Sequence, residues 1–436
     1  MMLRLLVFCL LFLLPVRVLA APADLPSRCF VCAAASEAAY SGELPELLRA
    51  RLAAAGWQIA SYETEGRRGT VGRFFHMVRT DEDGTETHLI AFPGTERGSD
   101  VWTDLRLGRA AFGGDSPAEF LAVRDMRVTE RSETPLVHRG FLDYTQAALF
   151  TDVLPAYGNR TAGEVLAAEL RAHPSMRIYL TGHSLGGAAA VLTAARLSDL
   201  GVAPEQLVVT TFGAPAVGNA AFVRRYEGRF TLHRVVMSGD PMKDVLAAPL
   251  GFQQFGERVP WSPARSVAKF PHAMMVYVDA AIRQLYDAYG GDNAFLFLMG
   301  LPNRTEGRTL YALPIETELD DTLAEDAPYM MAVLRDALHV RNAAVVFAAG
   351  SGGLSEEGLL SGLNEHLLAA RASGAEEMVA YRIAGAKIRD ARETYRLTLE
   401  RAVYDRDGNL LAAGSRSART GALTPIETVL YLFAQD

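Results

Sequence analysis

Apolar positions between residues 69 and 92 alternate with polar ones in two runs, 69–80 and 85–92, separated by Asp81-Glu82-Asp83-Gly84. A period of two around an acidic turn ending in glycine predicts a β-hairpin. Downstream the pattern changes to short continuous apolar runs at 177–181, 208–212 and 233–237, each bounded by Gly and Pro signals, with an Ala-rich stretch at 186–200 that ends at Gly201. Continuous runs predict strands buried on both faces, and the Ala-rich stretch predicts a helix closed by its glycine. Buried strands alternating with helices predict an α/β fold, a mostly parallel sheet with helices on both faces.

A helical stretch at 273–289 ends at Gly290-Gly291, and beyond it the character differs. Residues 308–316 and 343–349 read as strands, 320–338 and 356–372 as helices, and 393–404 with 410–417 as a hairpin across Asp405-Arg406-Asp407-Gly408-Asn409. The pattern predicts a main domain over 21–292 and a smaller C-terminal α/β domain over 305–436. With 436 residues, half of them hydrophobic and 22% charged, the chain has enough apolar surface for a large core and more than one domain.

At the start, Arg4 precedes an apolar run over 5–16, and Arg17 is followed by Val18-Leu19-Ala20-Ala21-Pro22-Ala23. This reads as a signal peptide over 1–20 that is cleaved, predicting a secreted or periplasmic location; the run is short of the roughly 20 residues that span a bilayer. Cleavage would leave Cys29 and Cys32, for which a local disulfide is the expectation in an oxidising compartment. A net charge of −8 argues against nucleic acid and other polyanionic partners.

The chemistry concentrates at Gly182-His183-Ser184-Leu185-Gly186, a G-x-S-x-G pattern set between a predicted buried strand and a predicted helix. Such a turn carries its serine on a sharp bend at a helix N-terminus, where developing negative charge is favoured. No Lys follows the glycines, so the spacing fits neither nucleotide-binding fingerprint. Serine needs a base to take its proton and an acid to orient that base. Asp240 follows the run 233–237 and a Ser238-Gly239 turn, which puts it at the carboxyl end of a strand. Asp244 is its rival, with a surface or capping role as the alternative. Of the later histidines, His233 precedes Asp240 while His339 and His366 fall in the second domain, which leaves His272. The candidate catalytic residues are therefore Ser184, Asp240 and His272, with no cofactor and no metal expected.

Further blocks accompany the elbow: Phe92-Pro93-Gly94-Thr95-Glu96, Trp102-Thr103-Asp104-Leu105, Val137-His138-Arg139-Gly140-Phe141, and Phe212-Gly213-Ala214-Pro215 with Val217-Gly218-Asn219. In this order, with Asp240-Pro241 and His272 after them, they resemble the class 3 lipases, triacylglycerol lipases of α/β-hydrolase fold, over about residues 33–289. The resemblance implies an oxyanion hole formed by the backbone N–H groups of Thr95 and Leu185, and a lid over 97–105 with Trp102 as its apolar face. Pro93 departs from the polar or basic residue usual there, and 106–136 is a long insertion. His138 and His183 read as packing residues.

The activity implied is carboxylic ester hydrolysis on a lipid or small ester substrate, triacylglycerol first. A phospholipase A-type acyl hydrolase is the alternative, and a non-catalytic envelope binding protein on a hydrolase scaffold is the contrary reading. The second domain lies outside the resemblance. Contact of the protein with a lipid surface is expected, and an envelope partner bound through the second domain is expected from that domain's position after an exported enzyme.

Overall fold

The structure, a computed structural model, describes residues 24–435 apart from 67–68, 81–83, 85, 96–107, 127–132, 155–156, 243–244, 247–249, 268–270, 290–308, 343, 350–355 and 389–393. The signal peptide at 1–20, the lid candidate at 97–105 and Asp244 lie outside the described residues.

Seven strands form the central sheet: β1 (Gln58–Glu65), β2 (Val71–Thr80), β3 (Glu86–Phe92), β4 (Ile178–His183), β5 (Leu207–Phe212), β6 (Thr231–Met237) and β7 (Glu257–Trp261), adjacent in that order. The β1/β2 and β2/β3 pairs are antiparallel, and every pairing from β3 to β7 is parallel. The continuous apolar runs follow from burial on both sides. Ile178 and Leu180 face one apolar cluster while Tyr179 faces another, and Val209 and Val208 divide the same way. Helices α3 (Arg139–Leu149) and α4 (Leu185–Asp199) cover the first face, and α1 (Leu25–Ala38), α2 (Glu43–Ala54) and α5 (Met274–Tyr289) pack into the cluster on the second. Pro260 hides β7 in the sequence; a strand that lacks one N–H is tolerated here because it pairs only with β6, at the edge.

Helix α1 carries no amphipathic stripe because it is buried nearly all round, from Cys29 to Ala38. Asp24 caps it by accepting the Ser27 N–H at 2.9 Å. Cys29 and Cys32 are both free thiols in this helix, which corrects the expected disulfide. Burial pushes the two thiols up to about 12 and about 11, well away from reactive thiolate character.

The C-terminal region adds β8 (Thr309–Ala312), β9 (Glu316–Leu319), β10 (Ala344–Phe347), β11 (Glu377–Lys387), β12 (Tyr395–Tyr404) and β13 (Leu410–Arg419), with helices α6 (Ala327–Arg341), α7 (Glu356–Ala372) and α8 (Pro425–Ala434). The single strand expected over 308–316 is two, β8 and β9, with Pro314 between them, and both pair with β11. The helix expected from 320 starts at Ala327, with Pro328 in its first turn, where a missing N–H leaves no helical bond unmade; a separate 3₁₀ turn over Asp321–Leu323 precedes it. This sheet does not keep a core entirely to itself. Leu310, Leu323, Val333, Ile383, Leu397 and Phe433 join the cluster that contains α1 and α5.

Polar groups cross the same boundary. Arg283 of α5 donates to Asp279 at 2.7 Å and to Asp326, and the Tyr286 hydroxyl donates to Asp336. Glu37 of α1 and Glu427 of α8 are buried nearby, Glu427 accepting from the Thr424 N–H at 2.8 Å. Burial pushes the Glu37 carboxyl up to about 7 from an ordinary 4.5. A carboxyl raised on folding stabilises the fold below its ordinary value and loses that contribution as pH climbs from 4.5 to about 7. Glu37→Gln is therefore expected to gain on the wild type by on the order of 1–3 kcal/mol between about pH 4.5 and about pH 8. Thermal melts of both proteins across that range check this; a constant Tm difference sinks it.

Candidate functional site

Strands β3 to β6 run parallel, so their carboxyl ends converge on one edge of the sheet, and the candidate residues sit there. Ser184 lies between β4 and α4 with φ 53° and ψ −119°, a left-handed backbone that a serine adopts only when its surroundings impose it. Its N–H reaches the Phe212 carbonyl at 3.0 Å and its carbonyl accepts from Ala188 at 3.1 Å, so the neighbouring strand and the helix both hold the bend. Space explains the flanking glycines. A Cβ at Gly186 would stand 2.1 Å from the Phe92 carbonyl oxygen, and one at Gly182 would stand 2.3 Å from the Gly186 carbonyl carbon.

The three candidates meet across 88 residues of sequence. His272 Nε2 lies 3.1 Å from Ser184 Oγ, and its Nδ1 lies 2.9 Å from Asp240 Oδ2. Asp240 is buried, and His272 is about a quarter exposed. Burial disfavours the Asp240 carboxylate, but the His272 hydrogen bond and charge, the Tyr277 hydroxyl and the Met242 N–H outweigh it and hold the group below its usual range.

Thr95 and Leu185 line, with Ser184, a cavity of about 160 Å³ whose walls include His138, Tyr144 and Met242. Leu185 opens α4, where backbone N–H groups have no partner within the helix. His138 caps α3, its Nδ1 accepting from the Phe141 N–H at 3.4 Å. Among the described residues no group of His, Cys, Asp and Glu is arranged to hold a metal ion.

The parts that two further residues play at the site were not legible in the chain. Tyr277 donates its hydroxyl to Asp240 Oδ2 at 2.6 Å and accepts the Met237 N–H at 3.2 Å. Burial and the adjoining carboxylate push its phenol well above the ordinary range, so it remains a donor. Gly213, already part of a recognised block, lies beneath the acid and the base: a Cβ there would meet Asp240 Oδ2 at 2.6 Å and His272 Nδ1 at 3.2 Å. The only local hint of Tyr277 was an aromatic on the helix after His272.

A mostly parallel sheet with a serine on a strained strand-to-helix turn is the α/β-hydrolase architecture. Residues 89–248 match the class 3 lipases. Toxin TseL of Vibrio cholerae is 37% identical over 91 residues, which are 21% of this chain and 12% of the toxin. A lipase of Rhizopus niveus is 33% identical over 119 residues, 27% of this chain and 28% of that one. The chain thus spans well under half the length of these two relatives. Among solved structures it is similar to nonglycosylated Yarrowia lipolytica LIP2 lipase, with 23% identity and a TM-score of 0.37 over 54% of this chain and 78% of that one.

Proposed function

We propose that the protein is an exported serine hydrolase that cleaves carboxylic esters of lipids, triacylglycerols and partial glycerides first. The observation that carries this reading is His272, whose two ring nitrogens reach Ser184 at 3.1 Å and Asp240 at 2.9 Å beside a cavity that Thr95 and Leu185 share. His272 Nε2 takes the hydroxyl proton as Ser184 Oγ attacks the ester carbonyl carbon. The N–H groups of Thr95 and Leu185 hold the oxyanion, commonly the largest electrostatic contribution to such a reaction. Collapse of the tetrahedral intermediate breaks the ester C–O bond, and the departing alcohol takes the proton from His272. Water, deprotonated by the same nitrogen, then attacks the acyl-enzyme, releasing the carboxylic acid and restoring Ser184.

The apolar run after Arg4 supports export, and no described helix is long and apolar enough to cross a membrane. Residues 21–292 are proposed to carry the chemistry and 305–436 to act as an accessory domain. The full chain is expected to react with a fluorophosphonate probe and to release fatty acid from triolein emulsions faster than from phosphatidylcholine vesicles. Faster release from phosphatidylcholine assigns the enzyme to phospholipid acyl esters instead. Absence of both labelling and release discards the catalytic reading for a binding scaffold.

A further inference from the structure

We propose that Tyr40 and His183 are positioning residues for this hydrolysis: a hydrogen-bond chain runs from Tyr40, packed against the turn before Thr95, through His183 to the main chain carrying His272. The proposal rests on the reading of Ser184 and His272 as nucleophile and base. Reading His183 as a packing residue accounts for its burial but not for its two contacts. Its Nε2 lies 2.7 Å from the backbone carbonyl oxygen of His272, and its Nδ1 lies 2.7 Å from the Tyr40 hydroxyl. A carbonyl can only accept, so Nε2 carries the proton; Nδ1 must then accept, and Tyr40 must donate. The chain has one direction and one tautomer.

Both ends of the chain reach the chemistry. His183 is the last residue of β4 and directly precedes Ser184, so the strand that places the nucleophile also grips the segment that places the base. The Tyr40 hydroxyl lies against the turn before Thr95: a Cβ on Gly94 would stand 2.1 Å from it and 2.8 Å from the His183 carbonyl oxygen. Only the smallest residue admits that contact. Tyr40 is anchored in turn, its N–H donating to the Glu37 carbonyl at 2.9 Å and its own carbonyl accepting from Arg49 at 2.9 Å. Nucleophile, base and oxyanion turn, which come from separate parts of the chain, are thereby referred to one buried imidazole.

That imidazole must also stay uncharged. Its ring centroid lies 4.7 Å from that of His272, so a cation there would oppose the imidazolium that forms on His272 as Ser184 attacks. Burial, and then the neighbouring His272, push His183 down to about 3. The Tyr40 proton occupies the remaining lone pair on Nδ1, which protects the neutral form further. Misplacement of a reacting group by about 1 Å costs about 10²-fold in rate, enough for two hydrogen bonds outside the substrate cavity to matter.

The test uses full-length His183→Phe, His183→Gln and Tyr40→Phe, with kcat, KM and the pH profile of kcat/KM for p-nitrophenyl butyrate, and Tm for each. His183→Phe keeps an aromatic ring but no donor, and is expected to lose at least about 10-fold in kcat with KM within about twofold. His183→Gln, whose amide offers a donor to His272 and an acceptor to Tyr40, is expected to return within about threefold of wild type. Tyr40→Phe frees Nδ1 to take a proton, and its acid limb is expected to be steeper than that of the wild type. Equal kcat in wild type and all folded variants, or a Gln variant as impaired as Phe with an unaltered Tyr40→Phe profile, overturns the proposal. If His183→Phe does not fold, the other two variants decide it. A wild type that neither hydrolyses the ester nor labels with a fluorophosphonate overturns the underlying reading as well, whereas a labelled, active wild type confines the failure to Tyr40 and His183.

Discussion

Ser184→Ala is expected to lower ester hydrolysis by roughly 10⁵ to 10⁶ and to abolish fluorophosphonate labelling, with little change in Tm. The substitution removes Oγ, whose contact is the one with His272 Nε2 at 3.1 Å. The bend itself is held by the backbone, through the Ser184 N–H to Phe212 and Ala188 to the Ser184 carbonyl, and alanine retains both bonds. Alanine also tolerates the backbone at φ 53° about as poorly as serine does, so the strain hardly changes between the variants. What disappears is the covalent step. Any remaining rate would come from the Thr95 and Leu185 donors acting on water attack. Hydrolysis within tenfold of wild type by a well-folded variant removes Ser184 from the reaction.

Asp240→Asn is expected to lower kcat by roughly 10⁴ with KM little changed. Oδ2 of Asp240 accepts from both His272 Nδ1 and the Tyr277 hydroxyl, and Oδ1 accepts from the Met242 N–H at 2.8 Å. All three partners are donors, and an amide has only one oxygen. If that oxygen faces His272, the NH₂ is driven against the Met242 N–H, and the negative charge that stabilises the imidazolium is gone. If the amide turns over, the NH₂ faces Nδ1 and favours the tautomer with Nε2 protonated, which no longer takes the Ser184 proton. Both arrangements disable the base, and the second leaves Tyr277 without its acceptor as well. The comparison is Asp244→Asn, expected to remain within about threefold of wild type. A larger loss for Asp244→Asn than for Asp240→Asn would transfer the acid role.

Local chemistry was legible without coordinates. The bend at Ser184 depends on five consecutive residues between a buried strand and a helix, and both neighbours announce themselves by composition, 177–181 as an apolar run and 186–200 as an Ala-rich one. Asp240 and His272 were legible by order, since few acids and histidines follow Ser184 at strand ends. Strand β11, on which both β8 and β9 pair, does not alternate cleanly: Met378 to Tyr381 is a continuous apolar run buried on both faces, a pattern too short to separate strand from helix. Helix α8 is likewise hard to read from the chain: it is only ten residues long, and Pro425 to Leu430, Leu432 and Phe433 are all buried, Glu427 and Thr428 included.

By itself, then, the sequence determined the α/β class and pointed to the elbow and to Ser184, Asp240 and His272 as candidates, because each depends on patterns a few residues long or on strict order along the chain. Tertiary structure alone decided that Cys29 and Cys32 stay reduced inside a buried helix, and that the C-terminal sheet shares a core with α1 and α5. It also decided that Tyr40, His183 and Tyr277 surround Ser184, Asp240 and His272, with Tyr40 and His183 143 residues apart and Asp240 and Tyr277 37 apart. The physical reason is common to all of these. A buried tyrosine or cysteine looks the same in sequence whether its neighbour is a carboxylate, an imidazole or a methyl group, and only the packing of distant segments chooses that neighbour.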